Sequence, residues 1–189
     1  MCSSDLIAET LAGANNPAGR LPLTFYRSLD QLPAFDDYAM QGRTYRYFAG
    51  KPLYGFGYGL SYTTFAYRNL KFASSSLAAG DSPRVQVDVE NTGAVAGDEV
   101  VEVYVTQPKG FETPRRVLAG FTRVHLAPHA TTHVSLTIDP RSLGQVDAKG
   151  NRVIVPGEYS ISVGSTQPED SAQVLTASFR VTGTKQLDK

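Results

Sequence analysis

Val85-Gln-Val-Asp-Val-Glu-Asn-Thr-Gly93, followed by Val101-Glu-Val-Tyr-Val105, is the stretch whose reading decides the fold. Valines at 85, 87 and 89 alternate with Gln86 and Asp88, the two-residue period of a strand with one face inward and one face wet. Asn91-Thr-Gly93 supplies turn chemistry, and Val101, Val103 and Val105 then give the next strand its inward face. The same grammar extends downstream: Leu118, Val124 and Leu126 within 116–127, then Val134, Leu136 and Ile138, then Tyr159, Ile161 and Val163. Asp147-Ala-Lys-Gly150 reads as a hairpin turn, and 174–181 as the last strand. With the segment opening at Phe65, this makes about seven short strands, a mainly β chain folded as an immunoglobulin-like sandwich over 65–183. No cysteine pair or tryptophan ties it to the antibody type, and 184–189 reads as a polar tail.

The grammar upstream is different. Leu6, Ile7 and Leu11 share one helical face, Gly13 stops the helix, and Asn15-Asn-Pro-Ala-Gly19 is a turn. Leu21–Tyr26 reads as a short apolar strand, with Pro22 suited to an edge or a strand start. Residues 27–51 have no period; Leu29, Leu32, Pro33, Phe35, Tyr38 and Met40 are scattered through them, as in a long loop packed on something. Then come Gly42-Arg-Thr-Tyr-Arg-Tyr-Phe48 and Pro52-Leu-Tyr-Gly-Phe-Gly-Tyr-Gly-Leu-Ser-Tyr-Thr-Thr-Phe65. Aromatics interleaved with glycines point to backbone lying close against a surface, with the rings filling pockets. Residues 1–64 therefore read as an incomplete α/β remnant and an aromatic linker. The opening Met1-Cys-Ser-Ser-Asp-Leu6 precedes a segment that reads as mid-domain, and Cys-Ser-Ser-Asp-Leu is also the translation of the end of a common sequencing adapter. The expectation is a non-native start joined to a truncated gene; the alternative is a true start codon in a short gene.

The chain's 189 residues are enough for one ordinary domain plus a remnant. Lys+Arg and Asp+Glu both number 18, so there is no basic face of the kind a nucleic-acid partner demands. Cys2 is the single cysteine, so no internal disulfide forms and the compartment is not legible from cysteines. No apolar run reaches membrane-spanning length, no signal-peptide pattern opens the chain, and no Asn-x-Ser/Thr sequon occurs.

Candidate chemistry is sparse. Asp36-Asp37 is the one carboxylate pair before the sandwich, but neighbouring side chains in an extended loop diverge, and a solvated loop cap is the better reading. Glu9, in the terminal helix, matches no catalytic motif. His125, His129 and His133 recur every four residues, which would build a metal site on a helix; Pro128 and the β pattern scatter them instead. Gly55, Gly57 and Gly59 fail the phosphate-cradle spacing at Leu60 and read as packing glycines. Tyr45, Tyr47, Phe48, Tyr54, Phe56, Tyr58 and Tyr62 could stack on sugar rings, but burial between domains accounts for them better. Arg43 and Arg46 suit sugar hydroxyls less well than a carboxylate or a backbone carbonyl. The loop 107–116 carries Phe111 and two arginines, and in a larger protein could overhang an active site.

Three groups of motifs carry a family resemblance, in order over about residues 7–182. The helix ending at Gly13 with Asn16-Pro-Ala-Gly-Arg-Leu-Pro-Leu-Thr-Phe25, and the two aromatic segments, resemble the end of the second catalytic domain of glycoside hydrolase family 3, the β-glucosidases and β-xylosidases, with Gly55 where those enzymes usually carry proline. Val87–Val105, Arg115–Ile138 and Pro156–Ser165 resemble the fibronectin III-like domain that follows. The resemblance implies a retaining, exo-acting β-glycosidase as the parent, with terminal glucose or xylose released from a β-linked oligosaccharide. It places the family's aspartate nucleophile in an N-terminal barrel and its glutamate acid/base earlier in the α/β sandwich, both upstream of residue 1, so this chain supplies no catalytic, cofactor or metal residue. It assigns Arg43, Tyr45, Tyr47, Phe48, Tyr54, Phe56, Tyr58 and Tyr62 to packing on the catalytic domains, the chain's expected partners, and implies a periplasmic or secreted location. Neither a nucleic-acid nor a membrane partner is expected. The alternative is a free-standing carbohydrate-binding or adhesion module, which needs an exposed aromatic platform on the sandwich.

Overall fold

The computed structural model describes residues 3–110, 113–168 and 174–188. Helix α1 (Ser3–Leu11) and the single turn α2 (Thr44–Tyr47) precede eleven strands: β1 (Phe65–Phe72), β2 (Ser76–Ala78), β3 (Arg84–Asn91), β4 (Gly97–Thr106), β5 (Val117–Leu126), β6 (Thr131–Thr137), β7 (Gln145–Val146), β8 (Arg152–Ile154), β9 (Gly157–Gly164), β10 (Leu175–Thr182) and β11 (Lys185–Gln186). One sheet has the order β1-β3-β6 and the other β2-β10-β9-β4-β5, with β11-β8-β7 as a small third sheet. Every pairing is antiparallel except that of β2 with β10. The chain is mainly β, and its two main sheets enclose a single core.

The alternation places that core. Val85, Val87 and Val89 from one sheet meet Val101, Val103, Val105, Tyr159, Ile161 and Val163 from the other, all almost fully buried. Val134 and Ile138 join them, as their period requires. The Asp147 turn forms as expected: the Gly150 amide donates to the Asp147 carbonyl, and Gly150 sits at φ +78°.

Three expectations need correction. Leu118 does not share the inward face of Val124 and Leu126. β5 pairs Gly120 with Val103 but Leu118 with Tyr104, leaving Ala119 as the extra residue of a bulge; Ala119 packs on the core and Leu118 turns to the other face. Leu21–Tyr26 forms no ladder. Pro22 has no N–H to give, and only an isolated bridge, Phe25 with Tyr54, survives. The 184–189 segment, polar in composition, contributes β11, and Leu187 packs against the core. β2 lacks any period that could have marked it.

β4 carries the fold's most consequential feature. Glu102 and Tyr104 point away from the core, on the face of a sheet that solvent would normally wet. They are nonetheless 4% and 1% exposed. Residues of the 14–64 segment cover them, and so form a strap across the outer face of the five-stranded sheet.

Candidate functional site

The strap is shaped by a turn. The Tyr58 amide donates to the Gly55 carbonyl at 3.2 Å, closing a four-residue turn with Gly57 in its third position at φ +83°. That conformation belongs to glycine. A Cβ on Gly57 would also lie 2.4 Å from a carboxylate oxygen of Glu102, so the turn needs glycine twice over. The turn sorts the rings. Phe56, at its tip, packs on Tyr45 at 4.5 Å between centroids, and Tyr45 meets Tyr104 of β4 edge-on at 6.0 Å. Tyr54 and Tyr58, on its two limbs, lie 4.8 Å apart and face outward.

Hydrogen bonds fasten the inner side. The Arg115 amide donates to the Arg46 carbonyl and the Arg115 guanidinium to the Phe48 carbonyl, both at 2.7 Å. The Leu118 amide donates to the Tyr45 hydroxyl, and the Thr166 hydroxyl to the Phe56 carbonyl. Asn16 donates to the Ala96 carbonyl, and the Tyr62 hydroxyl to the Thr10 carbonyl, which ties in α1. Within the loop 107–116, Arg115 thus fastens to the strap; Phe111 and Glu112 lie outside the described residues.

Two buried carboxyl groups meet the strap, Glu99 from the inward side of β4 and Glu102 from its outer face. Glu99, 1% exposed, accepts from the Tyr67 hydroxyl and pairs with Arg20 at 2.6 Å. Burial pushes its carboxyl above the ordinary range, and the Tyr67 and Arg20 contacts pull it back. Glu102 accepts from the Tyr104 hydroxyl at 2.6 Å. Burial pushes it up to about 7 against the opposing pull of that hydrogen bond and of Arg20. Tyr67 and Tyr104 are themselves raised, burial first and the neighbouring carboxylates second.

The outer side is bare. Gly19, Arg20, Leu21, Phe25, Tyr54, Tyr58, Gly59 and Leu60 line an apolar groove of about 600 Å³. Phe25, Tyr54 and Tyr58 are each about two-fifths exposed, Leu60 two-thirds. Leu6, Ile7 and Leu11 on α1 are exposed as well, the last at 80%.

The packing residues read from the sequence therefore divide. Tyr45, Phe48 and Phe56 turn onto the sandwich or the strap itself, Phe48 against Tyr26 at 4.9 Å. Tyr47 is half-buried with the Arg46 guanidinium 5.8 Å from its ring. Tyr54, Tyr58 and Tyr62 stay exposed. Arg43 spends its guanidinium on the Ala39 and Asp37 carbonyls, as backbone-pairing arginines do. Asp36 and Asp37 are exposed, with Asp37 capping the Ala39 amide. The histidines do not gather: His125 pairs with Asp98 and His133 with Asp88, while His129 sits in the turn between β5 and β6. The His125 bond leads in holding the Asp98 carboxyl below its ordinary range, and the Asn69 bond does so for Asp88. Among the described residues no group of three or more His, Cys, Asp or Glu could hold a metal ion, and no helix is long and apolar enough to cross a membrane. The spacing of the aromatics does not mark the Gly55–Tyr58 turn; Gly57, directly before Tyr58, is its one signal.

Comparison with known proteins places these features. Residues 3–62 match the glycosyl hydrolase family 3 C-terminal domain, and residues 99–167 match a fibronectin type III-like domain. A xylan 1,4-β-xylosidase of Xylanibacter ruminicola is 37% identical over 90% of the chain, and a periplasmic β-glucosidase of Salmonella typhimurium 34% identical over 93%. The chain spans only 20% and 24% of those two proteins. The structure of β-glucosidase 3B from Thermotoga neapolitana superimposes with a TM-score of 0.84, at 34% identity over 97% of this chain and 27% of that one.

Proposed function

Since the chain belongs to glycoside hydrolase family 3 and corresponds to the C-terminal quarter or so of its members, we propose that its strap is a mortar layer, with one face set on the sandwich and the other made for the catalytic part of a β-glycosidase. One observation carries this: the strap's inner rings are packed and hydrogen-bonded while its outer rings line a bare apolar groove. Apolar patches of that kind mark interfaces. On this reading the intact protein hydrolyses β-glucosides or β-xylosides, the upstream domains hold the nucleophile and the acid/base, and this portion is structural. A location outside the cytoplasm fits the periplasmic relative. The rival, a free-standing carbohydrate-binding module, finds little support: of the sandwich's described aromatics, Phe121 alone is largely exposed, and one ring makes no platform.

The test joins this chain to the upstream domains of a family 3 β-glucosidase and measures hydrolysis of an aryl β-glucoside and thermal inactivation. Phe25→Ser with Tyr58→Ser should lower the inactivation temperature of the joined protein by several degrees and leave the free chain's melting unchanged. Equal melting and inactivation of variant and parent in both settings would remove the interface.

A further inference from the structure

We propose that Glu102 is a proton-operated clasp: it holds the Gly55–Tyr58 turn against the sheet while its carboxyl is protonated and loosens that turn when the carboxyl ionises. The inference does not depend on what covers the strap's outer face.

The geometry is that of a buried carboxyl with little to stabilise its charge beyond one hydroxyl and a guanidinium engaged elsewhere. Glu102 is 4% exposed, and its oxygens press on the backbone of Gly57, where even a Cβ would not fit. Among the described residues it forms no ion pair. Its hydrogen bond comes from a neutral hydroxyl, that of Tyr104. The groups facing it are Tyr104 and Glu99 from its own strand, Arg20 from the strap, and its cross-strand neighbours Phe121 on β5 and Gly164 on β9, with Tyr45 and Arg116 acting on the Tyr104 hydroxyl. Arg20 is the cation that acts on Glu102 itself, and its guanidinium is bonded to Glu99. Glu99 itself repels a charge on Glu102. A carboxylate in such a place is costly unless water reaches it. Water reaches it when the turn lifts, and the contacts opposing that motion are local: the Phe56–Tyr45 ring pair, the Thr166 bond to the Phe56 carbonyl, and the two backbone bonds of Leu21 with Gly57 and Tyr58.

The sign follows from linkage. The closed-state carboxyl is raised from 4.5 to about 7, so closure is unopposed below about pH 4.5, weakens as pH rises, and bears the full penalty above about 7. If the open-state carboxyl titrates normally, opening becomes about 70-fold more favourable between pH 5 and pH 8.

Hydrogen exchange of the 53–60 segment in the full chain, corrected for intrinsic rates, reads this directly. Protection should fall by tens of fold from pH 5 to pH 8. In Glu102→Gln, which keeps the shape and never ionises, protection should stay flat and high. Carbon-13 NMR of the Glu102 carboxyl gives a second reading, with a midpoint near neutrality expected. The same loss of protection in Glu102→Gln, or a Glu102 midpoint in the ordinary carboxylate range, would overturn the clasp.

Discussion

Arg20→Met tests the electrostatics beneath the strap most sharply. Arg20 and Glu99 lie 2.6 Å apart with side chains only 10% and 1% exposed. Removing the cation leaves a buried carboxyl with only the Tyr67 hydroxyl and the Val100 amide as donors, and breaking a buried pair in this way typically costs about 3–5 kcal/mol. The penalty has a ceiling, because Glu99 can take up a proton. Its carboxyl is already raised by burial, and loss of Arg20 raises it further. A raised carboxyl costs nothing below its unfolded value and its full amount above its folded one. The destabilisation should therefore grow with pH, smaller at pH 5 and approaching about 3 kcal/mol at pH 8. Urea unfolding followed by circular dichroism at the two pH values measures it. Glu102 is present in both proteins, so its own pH effect largely cancels in the difference. The double variant Arg20→Met with Glu99→Gln buries no charge and should recover about 2 kcal/mol of the loss at pH 8. An equal cost at both pH values, or a double variant no more stable than the single one, would refute this account.

Two substitutions probe the layers on either side. Gly57→Ala puts an L-residue at φ +83° and a Cβ into the Glu102 carboxyl; the strain alone is worth about 1–2 kcal/mol, and hydrogen exchange should show the 53–60 segment deprotected while β3 and β9 stay protected. Val103→Ala removes two methyl groups from a fully buried site and should lower global stability by about 2 kcal/mol in urea unfolding.

The sandwich was legible because one physical signal governs it. A strand with one wet face must alternate, and Val85–Val89, Val134–Ile138 and Tyr159–Val163 do. The signal failed where a local event broke the period. The bulge at Ala119 reverses the parity of β5, so Leu118, in step with Val124 and Leu126 by count, ends on the opposite face. β2 and β11 are too short to show a period and exist because β10 and β8 offer them edges. Burial on both faces of β4 was hidden for a related reason: the alternation of Val101, Val103 and Val105 puts Glu102 on the outward face, and only the strap, eighty residues in sequence from the sheet it covers at Asn16 and Ala96, makes it a buried residue. Long-range coverage leaves no trace in local pattern. Read from the sequence, the aromatic segment packs on other domains; Tyr45 and Phe56 pack instead on the strap and β4, and the division into inner and outer rings was not legible, because that depends on one glycine turn.

That turn explains why glycine and aromatic residues are mixed so closely here. An extended strap sends alternate side chains to opposite sides, so Tyr54, Phe56 and Tyr58, all of one parity, would face the same way. The turn at Gly55–Tyr58 breaks the rule: it drives Phe56 down toward Tyr45 and leaves Tyr54 and Tyr58 side by side on the outside. Five residues, Tyr54 to Tyr58, thereby present rings to two surfaces at once. The glycines are what permit it, Gly57 by its positive φ and by the absence of a Cβ over Glu102, and Gly59 by lying so close to the Gly19 carbonyl that a Cβ would come within 2.3 Å. A strap built this way has no hydrophobic core of its own, and its stability must come from whatever lies on each side. The inner surface is the β4 face with Tyr104 and Glu102. The outer one has Phe25, Tyr54, Tyr58 and Leu60 in the open, and on the reading proposed above a domain of the larger protein completes the packing there.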